Sequence, residues 1–154
     1  MRIACIGGGP AGLYFSISMK LRDPSCEVVV LERNKPDDTF GWGVVLSDET
    51  LENLKKNDPK SAATIRANFA YWDDIALHFK GQRLVSSGHG FCGIGRKKLL
   101  MLLQQRAQDL GVDLRYETEV ESAEAYRSDY DVVVANDGLN SKVRMLYQDT
   151  FKPK

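Results

Sequence analysis

Residues 1–32 read MRIACIGGGPAGLYFSISMKLRDPSCEVVVLE: an apolar run, a glycine-rich turn, an amphipathic stretch, a second apolar run and an acid. This order matches the G-x-G-x-x-G dinucleotide-binding fingerprint, with the acid twenty residues after the last glycine. Gly7 permits the tight turn, Gly9 lets the backbone approach a pyrophosphate, and Gly12 lets the helix pack closely on the strand. The stretch therefore predicts a strand–helix–strand unit that binds an adenine dinucleotide.

Two features of this unit face the predicted ligand. The helix N-terminus offers N–H groups without a carbonyl partner, together with the positive end of its dipole, to the phosphates. Glu32 would accept hydrogen bonds from a ribose diol, and its charge disfavours a 2′-phosphate there, so FAD or NAD is expected rather than NADP. The alternative interpretation is a structural glycine turn that joins a strand to a helix.

The composition excludes several classes of partner. The 154 residues fit one ordinary domain, and 43% apolar and 27% charged residues are typical of a globular protein. Lys+Arg and Asp+Glu are both 21, so the balance gives no indication of nucleic acid or an anionic membrane as partner. No apolar stretch approaches the roughly 18 residues that a membrane span needs.

The cysteines and histidines indicate neither a metal site nor a nucleophilic triad. Cys5, Cys26 and Cys92 are far apart and form no C-x-x-C pair, which favours reduced thiols in a cytoplasmic protein. His78 and His89 have no evident nucleophile or metal-ligating neighbour. We predict no metal ligand and no acid–base catalytic residue in this chain.

Hydrophobic periodicity predicts an alternation of strands and helices after the first unit. Residues 33–47 are expected to form a loop, and Ser47 or Asp48 to cap a short helix. The other predicted elements are a helix at 61–69, a strand at 74–79 that forms a hairpin with 83–87, a helix at 96–110, and strands at 112–116, 119–124 and 131–135.

Two positions downstream have the chemistry of phosphate contacts. Asp137-Gly138 follows a buried strand and precedes a helix, which is where α/β sheets place ligand contacts. Arg96 opens its helix, and its paired N–H donors suit a pyrophosphate. The alternatives are an ordinary strand-to-helix turn and a solvated first-turn arginine.

Gly41 and Gly43 flank Trp42, and this pattern has two interpretations. The glycines could let the backbone pass close to a flat ligand. The alternative is a glycine-flanked aromatic side chain packed on the core.

Taken in order, these motifs resemble the flavoprotein aromatic hydroxylases of the 4-hydroxybenzoate hydroxylase type. Three spaced motifs carry the resemblance: the glycine fingerprint with Glu32-Arg33, the helix start at Arg96, and the Asp137-Gly138 turn with Arg144. Residues 41–46 and 92–99 are most similar to the salicylyl-CoA and 2-aminobenzoyl-CoA monooxygenases, with violacein-pathway hydroxylases as relatives.

The resemblance implies an α/β protein with a Rossmann-like FAD-binding (GR2-type) fold: a parallel sheet, helices and a small β-hairpin or meander. It implies FAD as cofactor, NAD(P)H as electron donor, and O₂ and a small aromatic acid or its CoA thioester as substrates, with oxygen transferred through a flavin hydroperoxide. The implied cofactor-binding residues are Gly7, Gly9, Pro10, Ala11, Gly12, Glu32, Arg33, Gly41, Trp42, Gly43, Val44, Arg96, Asp137 and Gly138.

Within that set the resemblance implies a division of roles. The fingerprint glycines, Arg96 and Asp137 would contact the pyrophosphate. Glu32 and Arg33 would lie at the adenosine end, and residues 41–46 would border the flavin. Arg144 would support the Asp137 turn.

The hydroxylases of this family continue beyond the length of this chain. They extend into a substrate-binding sheet and a second Gly-Asp motif, so we expect residues 1–154 to be an FAD-binding domain truncated before the substrate domain, not competent for turnover alone. Apolar surface left uncovered would favour self-association. The alternatives are another FAD- or NAD-dependent oxidoreductase and a non-catalytic nucleotide-binding remnant.

Overall fold

The computed structural model describes residues 1–36 and 38–152. Within them, nine β-strands and six α-helices are joined by turns and one 3₁₀ helix. In chain order the elements are β1 (Arg2–Ile6), α1 (Pro10–Arg22), β2 (Glu27–Leu31), β3 (Gly43–Leu46), α2 (Asp48–Asn57), α3 (Pro59–Arg66), β4 (Ala70–Trp72), β5 (Ile75–Phe79), β6 (Gln82–Ser86), β7 (Phe91–Gly95), α4 (Arg96–Asp109), β8 (Asp113–Arg115), the 3₁₀ helix (Ala123–Tyr126), β9 (Val132–Ala135), α5 (Lys142–Leu146) and α6 (Gln148–Phe151).

The chain forms two compact units. The first unit comprises Met1–Asp38 and Leu100–Lys154, and the second comprises Thr39–Leu99. The first unit is therefore assembled from two segments that are distant in sequence and that meet through strand pairing.

A four-stranded parallel sheet in the order β8-β2-β1-β9 forms the centre of the first unit. The two inner strands are buried at four of their five positions, because a parallel sheet covered on both faces needs apolar residues almost throughout. One side of the core contains Ala4, Ile6, Val29, Leu31, Val120 and Ala123. The α/β class and the parallel sheet predicted from the sequence are confirmed.

Helix α1 connects the two inner strands. Gly9 is its N-cap, and Pro10 lies in the first turn, where the missing N–H costs no intrahelical hydrogen bond. Leu13 and Ile17, one turn apart, are buried. The helix ends at Arg22.

The second unit contains a three-stranded antiparallel sheet, β3-β7-β4, and the separate hairpin β5–β6. Lys80 and Gly81 both have positive φ at the hairpin turn, which is the conformation of a two-residue turn that matches strand twist. The predicted hairpin is confirmed.

One predicted loop is a strand. Residues 33–47 were expected to be irregular throughout, but Gly43–Leu46 form β3, which pairs with β7 in the register Val45↔Gly93. Glycines in both strands obscured the alternation from which strands are predicted, because glycine is uncommon in strand interiors.

The strand predicted at 119–124 is wrong. Val120 and Ala123 are both buried and are three residues apart, a spacing that suits a helical turn better than a strand. Ser122 caps the 3₁₀ helix, since its hydroxyl accepts a hydrogen bond from the Glu124 N–H at 3.2 Å.

Helix α4 confirms the clearest helix predicted in the second half of the sequence. Its buried residues include Leu99, Leu100, Leu103 and Ala107. Among the described residues, none of the helices combines the length and apolar character that crossing a membrane requires.

Candidate functional site

The glycine turn lies at the carboxyl end of β1, beside the end of β9. Gly7 has φ of +103°, and a Cβ atom there would stand 2.4 Å from the Asn136 carbonyl oxygen. The Gly7 N–H donates to the Leu31 carbonyl at 2.8 Å. Any side chain at Gly7 would displace the turn or the end of β9, so the turn requires glycine here.

Gly12 and Gly9 meet different surroundings. A Cβ atom at Gly12 would lie 2.0 Å from the Gly7 carbonyl oxygen, whereas at Gly9 it would meet no atom within 4 Å. Gly12 is therefore required for close packing of α1 on the turn. Gly9 faces open space at the start of the helix, where Pro10 and exposed Ala11 form the first turn.

Glu32 connects the end of β2 to the glycine turn. Its Oε2 accepts a hydrogen bond from the Gly8 N–H at 2.7 Å. Its Oε1 accepts from the Asn34 backbone N–H at 2.8 Å and from the Asn34 side-chain amide at 2.7 Å. A carboxylate has roughly four acceptor positions, so about one stays open for a further donor.

Arg33, the neighbour of Glu32, is exposed. The Lys142 hydrogen bond is the main cause that lowers the pKa of Glu119, and the positive charge of Arg33 contributes to the same shift. Arg33 is thus a solvated cation beside the end of β2.

The Asp137-Gly138 turn follows β9, and the Asp137 carboxylate bonds to the start of α5, whose N-cap is Ser141. Its Oδ1 accepts from the Ser141 hydroxyl at 2.6 Å, and its Oδ2 accepts from the Val143 N–H at 3.3 Å. Arg144 donates to the Gly138 and Leu139 carbonyls. The support of this turn by Arg144 agrees with the prediction, whereas phosphate binding by Asp137 stays a prediction.

Asn136 and Cys5 join the two turns beneath the surface. The Asn136 amide nitrogen donates to the Cys5 sulfur at 3.1 Å, and the Asn136 backbone N–H donates to the Ile6 carbonyl at 2.7 Å. Burial raises the pKa of the Cys5 thiol, so Cys5 stays protonated near neutral pH.

In the second unit, the residues predicted around Trp42 converge on Arg96. The Arg96 N–H donates to the Trp42 carbonyl at 3.1 Å, and a Cβ atom at Gly41 would lie 3.4 Å from the Arg96 Cδ. Gly43 and Val44 are the first residues of β3 and pair with the end of β7. The Trp42 side chain is fully exposed, which contradicts the alternative that it packs on the core.

The Arg96 side chain contains a buried polar atom without a partner. Its Nε is inaccessible to solvent and has no hydrogen-bond acceptor among residues 1–36 and 38–152. A buried unsatisfied donor is unfavourable, so its presence indicates a place for an acceptor group.

The predicted site residues therefore form two groups. The group in the first unit comprises Gly7, Gly9, Pro10, Ala11, Gly12, Glu32, Arg33, Asp137 and Gly138, and the group in the second unit comprises Gly41, Trp42, Gly43, Val44 and Arg96.

Sequence reasoning missed four residues that contact members of the first group: Cys5, Gly8, Asn34 and Asn136. The contacts of Cys5 and Gly8 depend on where strand ends and a turn meet in space, whereas Asn34 bonds to Glu32, only two residues away. Asn136 alone had a visible signature, an amide directly before the Asp137-Gly138 pair.

The histidines lie outside both groups of predicted site residues. His89 is exposed and shares a hydrogen bond of 2.7 Å with the Ser86 hydroxyl. In residues 1–36 and 38–152 no group of histidines, cysteines and acids is placed to hold a metal ion. The three cysteines are buried thiols rather than disulfides.

Comparison with protein families gives a match over almost the whole chain. The model of the family described as "FAD binding domain" matches residues 1–148.

Two characterised enzymes are similar in sequence. The chain is 46% identical over 153 residues to a salicyloyl-CoA 5-hydroxylase of a Streptomyces species, covering 99% of this chain and 29% of the hydroxylase. It is 33% identical over 144 residues to the protodeoxyviolaceinate monooxygenase of Chromobacterium violaceum, covering 92% of this chain and 39% of that enzyme.

Among solved structures, 2-methyl-3-hydroxypyridine-5-carboxylic acid oxygenase superposes with a TM-score of 0.78 at 23% identity. The superposition covers 94% of this chain and 41% of that one, and it shows the shared fold. The chain spans about three to four tenths of the length of these relatives.

Proposed function

Since this chain belongs to the FAD binding domain family, we propose that it is the FAD-binding part of a flavoprotein monooxygenase that hydroxylates an aromatic acid or its CoA thioester. The family resemblance inferred from the three spaced motifs is confirmed, and with it FAD as the cofactor of the family. The observation that carries the proposal is the 46% identity to a salicyloyl-CoA 5-hydroxylase over 99% of the chain.

The residues present fit an adenine dinucleotide. The start of α1 combines open space at Gly9 with first-turn N–H groups that lack intrahelical partners. Arg96 in the second unit has a buried Nε that finds no acceptor in the part of the chain that the structure describes. Both features suit a phosphate-bearing ligand.

The proposed roles follow from these environments. In the first unit, Gly9, Pro10, Ala11 and Gly12 hold the pyrophosphate through the helix terminus, and Glu32 uses its remaining acceptor position for the adenosine ribose. Arg33 lies at the adenine end, and the Asp137-Gly138 turn completes the phosphate contacts.

In the second unit, Arg96 donates to a phosphate oxygen, and Gly41, Trp42, Gly43 and Val44 border the flavin. The exposure of the Trp42 ring and the close approach of Gly41 to the Arg96 side chain support this assignment.

Bound FAD would supply the redox chemistry that this chain's side chains lack, with NAD(P)H as proposed donor and O₂ as oxidant. The protein would contribute binding, orientation and the exclusion of water. We place the substrate-binding region outside residues 1–154. Three buried thiols support a cytoplasmic location.

The experiment is a titration of the purified chain with FAD, FMN and NADH, followed by flavin fluorescence and visible absorbance. We expect FAD to bind more tightly than FMN, because FMN lacks the adenosine and second phosphate that Glu32 and the helix terminus would hold. NADH should bind weakly or not at all.

Two results would contradict the proposal. Equal affinity for FAD and FMN would remove the adenosine role of the glycine turn and Glu32. Binding of NADH without binding of FAD would indicate a nicotinamide-dependent oxidoreductase instead.

A further inference from the structure

We propose that Asn136 is a positioning residue for the FAD-binding turn, acting through a hydrogen-bond relay from its amide to the Cys5 sulfur and on to the Gly12 carbonyl. The inference rests on the proposed function, since it assigns the turn to FAD. It adds a residue that lies outside the glycine fingerprint and precedes the Asp137-Gly138 pair.

The relay crosses three parts of the first unit. The Asn136 Nδ2 donates to the Cys5 Sγ at 3.1 Å, and the Cys5 thiol donates to the Gly12 carbonyl at 3.7 Å. The Ser16 hydroxyl donates to the same carbonyl at 2.8 Å. Side chains therefore connect three elements: the residue that follows β9, Cys5 within β1, and the start of α1.

Asn136 also forms the surface on which the glycine turn lies. A Cβ atom at Gly7 would stand 2.4 Å from the Asn136 carbonyl oxygen and 2.7 Å from its carbonyl carbon. The main chain of Asn136 is fixed by its N–H bond to the Ile6 carbonyl, and its side chain by Cys5. A shift of Asn136 would therefore move the support of Gly7.

The relay depends on Cys5 being a protonated thiol, which can accept from an amide and donate to a carbonyl at once. Cys5 is fully buried, and burial raises its pKa. The same residue is thus withheld from thiolate chemistry and suited to a structural contact.

Substitution of the donor and of the acceptor separately tests the relay. Asn136→Ala removes the donor, Cys5→Ala removes the acceptor, and Cys5→Ser keeps an acceptor at that place. The Kd for FAD and the hydrogen exchange of the Gly7 to Gly9 amides without FAD are both measured, beside the free energy of unfolding.

We expect Asn136→Ala and Cys5→Ala each to raise the Kd for FAD about 3- to 10-fold and to accelerate amide exchange in the turn. The double variant should be no worse than Cys5→Ala alone, because Cys5→Ala already removes the contact that Asn136→Ala removes. Cys5→Ser should bind FAD more tightly than Cys5→Ala. The control Asn68→Ala removes an exposed hydrogen bond from the Asn68 side-chain amide to the Thr64 carbonyl. It should change neither the Kd for FAD nor the amide exchange at Gly7 to Gly9.

The outcomes separate the two claims. If the unmodified chain does not bind FAD, the proposed function is wrong. The relay is tested separately without FAD: unchanged amide exchange at Gly7 to Gly9 in Asn136→Ala would overturn it. If FAD binds normally to Asn136→Ala, the positioning role is wrong. Should Asn136→Ala fail to fold, equal Kd values for Cys5→Ala and Cys5→Ser would overturn it.

Discussion

Glu32 combines two demands on one carboxylate. It holds the glycine turn through the Gly8 N–H and holds the following loop through two donors of Asn34. In the proposed contact, a ribose hydroxyl donates to the acceptor position of the carboxylate that is still open, about one in number. The side chain is therefore oriented before a ligand arrives, which lowers the entropic cost of binding.

Glu32→Ala should weaken FAD binding by about 1–3 kcal/mol, because charge-assisted hydrogen bonds are lost. It should also lower the free energy of unfolding of the chain without FAD, since the Gly8 N–H loses its acceptor. Titration and urea denaturation measure the two effects. Glu27→Ala, a change at the exposed first position of β2, is the matched control and should leave FAD affinity unaltered.

Alanine substitutions at the three fingerprint glycines should distinguish the glycines needed for packing from the one needed for close approach of the ligand. Gly12→Ala should lower the free energy of unfolding most, about 3 kcal/mol or more, because its Cβ would lie 2.0 Å from the Gly7 carbonyl oxygen. Gly7→Ala should cost about 1–3 kcal/mol through its positive φ and the contact with Asn136. Gly9→Ala should cost less than about 1 kcal/mol, yet weaken FAD binding.

Urea denaturation of the three variants, with FAD titration of those that fold, measures this order. A loss of stability in Gly9→Ala equal to that in Gly7→Ala would contradict the assignment of Gly9 to ligand approach.

For individual residues, the sequence predicts those roles that depend only on neighbouring positions in the chain. The tight turn at Gly7 and close packing at Gly12 follow from the spacing of the fingerprint alone. The contacts Glu32–Gly8 and Asn136–Cys5 could not be predicted, because each depends on where separate strands end in space.

Among the elements, apolar runs and helical periodicity predicted β1, β2, β9, α1 and α4. The prediction failed for β3, because this strand is only four residues long, begins with Gly43 and pairs with two glycines of β7. It failed at 119–124 because the acids there alternate with other residues as in a strand, although they are simply exposed to solvent. The two buried residues, Val120 and Ala123, are three positions apart, which is a helical spacing.

Helix α5 is tied to the segment before the 3₁₀ helix by one lysine. The Lys142 ammonium donates to the Glu119 carboxylate at 2.8 Å and to the Glu121 carboxylate at 2.9 Å. The hydrogen bond from Lys142 lowers the pKa of Glu119 below its ordinary value of 4.5. The hydrogen bonds to Glu119 and Glu121 raise the pKa of Lys142 above its ordinary value of 10.5.

Lys142→Met should destabilise the chain in a pH-dependent way. The depressed pKa of Glu119 contributes stability above pH 4.5 that is lost as the pH falls through the folded value. The raised pKa of Lys142 contributes stability below pH 10.5 that is lost as the pH rises through the folded value. Urea denaturation should show a difference from the unmodified chain near neutral pH that disappears in acid.

Added salt should reduce that difference, because all three groups are at the surface. Lys97→Met on α4 is the control and should show no comparable pH dependence. A difference that persists in acid would contradict the electrostatic origin.

For the whole molecule, the two edges of the parallel sheet differ in their protection. Edge strand β8 is three residues long and carries the ion pair between Asp113 and Arg115 at 2.8 Å, whereas edge strand β9 has the sequence Val-Val-Val-Ala. Charged side chains discourage pairing with another chain, and an apolar edge invites it. We propose that residues 1–154 self-associate through β9.

Val132→Lys should therefore reduce self-association with a small effect on stability, since the Val132 side chain is already 40% exposed. Analytical ultracentrifugation over a range of concentrations measures the association. Val85→Lys places the same charge on an exposed strand of the second unit and should leave association unchanged. The reverse pattern would place the contact on the hairpin.

The pairing of Cys5 with Asn136, 131 residues apart, also sets an order of events during biosynthesis. At about 5–20 residues per second, a ribosome needs roughly 7–26 s between the two residues. Throughout that interval, the glycine turn has been synthesised but the backbone of Asn136, against which Gly7 packs, has not. The glycine turn therefore takes its final form only after residue 136 has been synthesised.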